Sequence, residues 1–414
     1  MVRQGHLIET RVLIAVVAFL IAVVVVGCGS GPGNIDERDG ERRAATNETT
    51  APKGGRSAAG TTQEPVGLDV KVVSPGKRYV LAGFGEGSLW ATDLGTCNDT
   101  GSSATSSSAS SASASAGTCA LPQNTLLKRL DPETGEEVAE IPLKGFSANI
   151  TEATFGAGSV WVSSTSGEAG VVIRVDSETN RVVDRIPVPV DSPTSLAFGH
   201  GSVWIASSGH DTVSRVDPQT GEVAAKIEVG RGAVDIATDE SSGDVWVASV
   251  SEDRKQLSRV DPATNRVVAE IPIAGHSRYG GAQSVAVGDG TVWAQSTDGR
   301  LFKVDPATNK VVAVVPLGEY SSDLAVYGGA VWATFQYSCE ATSDASAAAA
   351  RPPGCTRSWR AYDQEHLAQV DPRTEQVVAS EDTGLISKVG YGRLVAGGGY
   401  IWFTSGDGLA RVAP

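Results

Sequence analysis

Residues 196–229 set the hydrophobic pattern of the whole chain. Four short runs, LAFG (196–199), SVWIAS (202–207), TVSRV (212–216) and EVAAKIEV (222–229), alternate apolar and polar positions with a period of two. Runs of this length, rich in Val, Ile and Trp, predict strands. A small-residue turn separates the first two runs, and DPQTG (217–221) separates the last two. Asp217 suits the first turn position, Pro218 fixes φ at the next, and Gly221 tolerates the left-handed conformation, which predicts a type I turn closed by a bulge. The stretch therefore reads as one four-stranded antiparallel meander.

The meander recurs. Its second-strand tryptophan returns at Trp90, Trp161, Trp204, Trp246, Trp293, Trp332 and Trp402. Its turn returns as LDPETG (130–135), VDSETN (175–180), VDPQTG (216–221), VDPATN (260–265), VDPATN (304–309) and VDPRTE (370–375), where Glu375 replaces Gly or Asn and predicts the most strained copy. The last copy holds IWFTS and LARVAP but no fourth strand, while LDVKVV (68–73) precedes the first copy as an orphan strand. Joining the two closes a ring. A period of roughly 42 residues matches propeller blades. The predicted fold is all-β, a seven-bladed β-propeller of four-stranded antiparallel blades over residues 66–414, closed by an N-terminal strand in the C-terminal blade.

In a propeller the first strand of each blade lines the channel. Counting back nine residues from each Trp, and eleven in the fourth repeat, gives Leu81, Glu152, Ser195, Asp235, Ser284, Asp323 and Arg393. The residues that follow, such as Leu196, Ile236, Val285, Leu324 and Leu394, are apolar, so alternation turns the ring positions into the channel. Three carboxylates and one arginine then share a narrow space. Such a set raises a pKa or takes up a cation, so Glu152, Asp235 and Asp323 are candidate ligands of a divalent ion. No other cofactor is implied. Charge reversal of Arg393 is expected to weaken binding without unfolding the domain. The loop AGHSRYGGA (274–282) offers His276, Arg278 and Tyr279 as a second candidate for an anionic or aromatic ligand.

The N-terminus and the cysteines change the setting. Arg3 and Arg11 precede an apolar run, Val12–Val26, which predicts a signal peptide over residues 1–27. VVGC (25–28) resembles a bacterial lipobox and makes Cys28 a lipidation site, placing the protein on the outer face of the cell membrane. Residues 29–65 are too polar to bury surface, so 28–65 reads as a flexible tether. Cys97/Cys119 and Cys339/Cys355 form two local pairs, expected as disulfides in an oxidising compartment. Each pair lies in an insertion between second and third strands, at 93–125 and 336–365. Such a disulfide is worth about 3 kcal/mol to its loop by chain entropy. The net charge of −14 argues against a nucleic-acid partner, and a monomer is expected.

VDPATNRVVAEIPI (260–273) and VDPATNKVVAVVPL (304–317) resemble the YVTN-type β-propeller repeat, and the GSVW and IWFTS strands resemble the streptogramin (virginiamycin B) lyase-like propellers. The resemblance implies the propeller fold and, in its enzymes, a histidine and a glutamate at the channel mouth working with magnesium. The positions matching that histidine are Val80, Thr151, Thr194, Val234, Gln283, Ser322 and Gly392, and Ser405 stands where the glutamate would be. The lyase activity is therefore not carried over, since elimination lacks its proton acceptor. The sequence reads as a membrane-anchored binding or scaffold propeller for an envelope protein, glycan or small polar ligand. The alternatives are a metal-dependent lyase or lactonase-like enzyme using the acidic ring, and a purely structural envelope component.

Overall fold

The computed structural model describes residues 67–75, 79–93, 125–143, 152–166, 169–190, 193–250, 255–273, 281–318, 320–338, 362–386, 393–405 and 408–414. Cys28, His276, Arg278 and Tyr279 lie outside these segments, as do the signal, the tether and most of both insertions. The disulfide expected between Cys97 and Cys119 and the one expected between Cys339 and Cys355 fall outside them too, so all four of those cysteines are undescribed. The described strands form seven four-stranded antiparallel sheets. Their first strands are Tyr79–Gly85, Ala153–Gly156, Pro193–Gly199, Ala233–Asp239, Ala282–Gly288, Tyr320–Tyr327 and Val395–Gly397, which begin blades 1 to 7. Each packs beside the next, and that of blade 7 beside that of blade 1. The protein is a seven-bladed β-propeller.

Closure occurs as predicted. Val70–Pro75 pairs antiparallel with Gly408–Val412, from Val70↔Val412 to Pro75↔Gly408, and becomes the outer strand of blade 7. The strand begins two residues later than the orphan run marks it. Ser74 donates to the Gly135 carbonyl at 2.7 Å, tying this strand to blade 1.

The repeat residues explain the ring. All seven repeat tryptophans are buried between blades. Most donate their indole N–H to a carbonyl five residues earlier, as Trp204 does to Gly199 at 3.0 Å. The aspartate of each DPxT turn folds back on its own backbone. Asp131 Oδ1 accepts the N–H groups of Glu133 and Thr134 at 2.8 and 2.9 Å. Gly221 takes the left-handed conformation expected of it, at φ 72°. Gly221 N–H reaches the Asp217 carbonyl at 2.9 Å and Asp217 N–H reaches Glu222, so four residues form the loop. The bulge sits further along, in the outer strand, where Val138, Val183, Val268, Val312 and Val378 are the extra residues. With Val314 they are the exposed valines among the described residues, and a bulged edge discourages pairing with another chain.

A second repeating device went unread in the sequence. Two residues before each turn aspartate stands a cation, Arg129, Arg174, Arg215, Arg259 or Lys303, with Arg411 in blade 7. Each lies over its own blade's tryptophan, 5.0–5.7 Å from the ring centre. Each also donates to the next blade's turn. Arg215 reaches the Pro262 carbonyl at 2.6 Å and Asn265 Oδ1 at 2.9 Å, and Arg411 reaches the Pro132 carbonyl across the closure. Blade 6 carries Gln369 here, opposite Trp332. The exception has a topological cause. Blade 7 draws its fourth strand from Val70–Pro75, so no turn joins it to the third and there is nothing for blade 6 to clamp.

Glu375 sits at φ 60°, where the other turns place Gly or Asn. Asparagine enters the left-handed region more readily than glutamate. Glu375 already accepts from Lys303 at 3.1 Å, a half-exposed pair worth little, and asparagine Oδ1 would replace it as Asn309 meets Arg259 at 3.0 Å. Glu375→Asn is expected to raise stability by up to about 1 kcal/mol, read as a shift of the urea midpoint at constant slope.

The second insertion is shorter than its predicted 336–365 span. The second and third strands of blade 6 are Ala330–Ser338 and Tyr362–Asp371, and they stay paired out to Ser338↔Tyr362. His366 is therefore a strand residue, stacked on Phe335 at 5.6 Å.

Candidate functional site

The axial channel brings Glu152, Asp235, Asp323 and Arg393 together, as the tryptophan count predicts. Ser195 joins them. Beside them a cavity of about 250 Å³ is lined by Glu152, Thr154, Thr238, Arg393 and the aromatic residues Phe84, Phe155 and Phe198. One ring position turns away. Leu81 is fully buried in the core between blades 7 and 1. A one-residue irregularity between Leu81 and Gly83 shifts its register, so Val80, not Leu81, stands opposite Thr92. Ser284 keeps the ring register, opposite Gln295 as Ser195 is opposite Ala206, and faces Gln295 Oε1 at 3.5 Å. Blade 1 thus leaves a gap in the polar ring.

Each carboxylate reaches from an even-numbered blade to the backbone of the next. Glu152 of blade 2 accepts the Leu196 N–H of blade 3 at 3.0 Å. Asp235 of blade 4 accepts the Val285 N–H of blade 5 at 2.8 Å, and Asp323 of blade 6 accepts the Leu394 N–H of blade 7 at 2.9 Å. Asp235 Oδ1 also takes the Ile236 N–H and the Ser195 hydroxyl of blade 3, at 2.9 and 2.7 Å. Asp323 Oδ1 takes the Leu324 N–H at 2.9 Å. Arg393 spans the gap at blade 1, donating to Glu152 Oε1 at 2.6 Å and lying 3.7 Å from Asp323. All six carboxylate oxygens are therefore engaged. Inner strands in a propeller diverge from one another, and these side chains stitch them where backbone cannot reach backbone.

The electrostatics follow from three carboxylates sharing one guanidinium. Burial, then the charges of Glu152 and Asp323, push Asp235 up to about 7. Burial also raises Asp323, against the pull of Arg393. For Arg393 burial works against the charge, but the three carboxylates outweigh it and hold the group above its ordinary value. Among the described residues no group of three or more His, Cys, Asp or Glu is placed to hold a metal ion. The turn-side ends of several inner strands interlock with those of the neighbouring blade. Phe198 of blade 3 lies over Gly156 of blade 2, and Phe84 of blade 1 over Gly397 of blade 7, where a Cβ would stand about 2 Å from the ring.

The inter-blade hydrogen bonds and the cation clamp are what the sequence reading missed. The clamp had a signal, a basic residue two positions before the turn aspartate in most copies. The carboxylate bonds join residues 44 to 71 apart and leave no local pattern.

No protein-family profile matches the chain, and no curated protein matches it. Among solved structures, 1531 chains match, so the fold is too widely shared to specify an activity. One of them is the hydrazine synthase of Kuenenia stuttgartiensis, at 18% identity and a TM-score of 0.50, over 62% of this chain and 73% of that one. At that identity the likeness is one of fold. Propellers commonly serve as binding modules or scaffolds.

Proposed function

We propose that the protein is a lipid-anchored, extracytoplasmic binding or scaffold propeller of the YVTN and streptogramin lyase-like kind. It recognises an envelope protein, a glycan or a small polar ligand on the face that bears the two insertions. The observation that carries this reading is the engagement of the channel ring. Every carboxylate oxygen is committed to a neighbouring blade, to its own backbone or to Arg393. A metal-dependent lyase or lactonase would have to break these bonds to use Glu152, Asp235 and Asp323, so recognition is better assigned to the loops.

Loop placement supports the same face. Both insertions join second to third strands, in blades 1 and 6, with blade 7 alone between them around the ring. The connections to the next blade emerge on that side as well. The opposite side carries the short turns, all built alike. The chain enters the propeller on the turn side, since Val70 pairs with Val412 at the end of the third strand of blade 7. A lipid anchor at Cys28 would thus attach through the strand that enters opposite the insertions. Variable loops on a rigid scaffold are the usual place for recognition.

The test exchanges residues 97–119 and 339–355 for short turns in the full chain, which removes Cys97, Cys119, Cys339 and Cys355 together. Partner or ligand capture is expected to fall roughly tenfold or more, with the melting temperature unchanged. Undiminished capture would move the function elsewhere on the ring.

A further inference from the structure

Blade 2 lacks a bond that the blades after it have. In blades 3 to 7 the backbone N–H following the ring position is taken by a ring carboxylate. Leu196 donates to Glu152, Ile236 and Val285 to Asp235, and Leu324 and Leu394 to Asp323, at 2.8–3.0 Å. In blade 2 that residue is Ala153. It stands opposite Val162 as Leu196 stands opposite Ile205, in the register that turns the N–H out of its own sheet. Glu152 beside it is committed to Leu196 and Arg393, and blade 1 offers only Leu81, buried in the core.

The next outward N–H repeats the contrast. Phe198 of blade 3 donates to Thr154 of blade 2 at 2.8 Å. Phe155 of blade 2 would need the matching residue of blade 1, which is Gly83, opposite Trp90 as Thr154 is opposite Trp161. Glycine has no side chain to accept. Among the described residues no side chain accepts from Ala153 or Phe155. Both residues line the cavity of about 250 Å³, together with the Glu152–Arg393 pair, Phe84 and Phe198.

Buried N–H groups need an acceptor, whether water or ligand. Charge decides which kind. The ring sets three carboxylates against one guanidinium, so an anion beside Glu152 is repelled. A cation has no lone pair to offer these donors. An uncharged hydroxyl accepts from an N–H and can donate its own proton to a carboxylate oxygen. The three phenylalanines, all half-buried, suit C–H surface between such hydroxyls. We propose that this cavity binds one neutral sugar unit, its hydroxyl oxygens accepting from Ala153 and Phe155 and its C–H face against Phe84, Phe155 and Phe198. The space holds roughly eight waters, enough for a single hexose, whose hydroxyls reproduce the hydrogen bonds of the waters they displace. The three carboxylates keep their bonds to the blades, and the site is independent of what docks on the insertion face.

The experiment titrates the isotope-labelled full chain with glucose, galactose and N-acetylglucosamine, and with glucuronate and galacturonate as charged counterparts, following backbone amides by NMR. At least one neutral sugar is expected to shift the Ala153 and Phe155 amides saturably, with a Kd on the order of 1 mM. The uronate of the same ring should bind about tenfold more weakly or worse. In Phe155→Leu, which keeps a side chain over Gly85 and removes one aromatic wall, that Kd should rise roughly fivefold. Ala153 and Phe155 amides that do not move with any neutral sugar, a cavity holding water only, would overturn the proposal, as would a uronate that binds as well as its parent sugar. Sugar shifts confined to the insertion face would also overturn it while leaving the recognition reading standing.

Discussion

Replacing Arg393 by alanine is expected to destabilise the propeller by about 3–5 kcal/mol, the cost of removing one partner from a buried ionic group. The guanidinium faces Glu152 at 2.6 Å and Asp323 at 3.7 Å, and all three side chains are less than a quarter exposed. Without it, three carboxylates remain in the channel with no counter-charge in the ring. The loss falls at a sensitive place, because Arg393 and Asp323 bind blades 6 and 7 where the cation clamp is missing. Denaturant unfolding at constant slope reads the effect, and adding Glu152→Gln should restore part of it by removing one of the stranded charges. The charge reversal that looked from sequence like a clean probe of binding is thus a stability mutation. A fall of under about 1 kcal/mol in Arg393→Ala would mean that the ring is solvated and loosely held.

Deleting residues 66–76 should cost the whole ring, not one blade. The deletion removes the outer strand of blade 7, exposes the edge of Gly408–Val412, and takes Val70, Val72 and Val73 from the core clusters on either side of the closure. Each side chain fully buried is worth about 1.5–3 kcal/mol, and these are half-buried. Several such losses with the strand's hydrogen bonds approach the total stability of an ordinary domain, about 5–15 kcal/mol. The expected product lacks a cooperative melt and near-ultraviolet tryptophan signal. A truncated chain that melts like the full one would show that Val70–Pro75 does not close the ring.

The fold was legible because its information is local. A tryptophan, a two-residue period and a DPxT turn each fall within a few residues, and seven copies average out accidents of any one. The ring residues were legible for the same reason, since a count of nine from the tryptophan finds Glu152, Asp323 and Arg393, and a longer turn in the fourth repeat extends it to eleven for Asp235. Leu81 failed that count because one extra residue near Ala82 changes which side chain faces the channel, and a bulge has no residue signature here. The second insertion was drawn too wide because its low-complexity sequence hides where strand pairing resumes. The meaning of the ring was not legible at all. Whether a carboxylate waits for a ligand or holds the next blade's backbone depends on a partner some 44 residues away.

The central claim is that recognition belongs to the insertion face and the channel ring belongs to the fold. Photo-crosslinking side chains placed one at a time in the full chain in living cells test it most directly. Ser107 and Ala347 report on the insertions, and Gln219 and Ala263, both exposed, report on the turns. The account expects a discrete adduct from the insertion positions and none from the turn positions, with the adduct lost when the insertions are exchanged for short turns. A discrete adduct from Gln219 or Ala263, with none from Ser107 or Ala347, would contradict it.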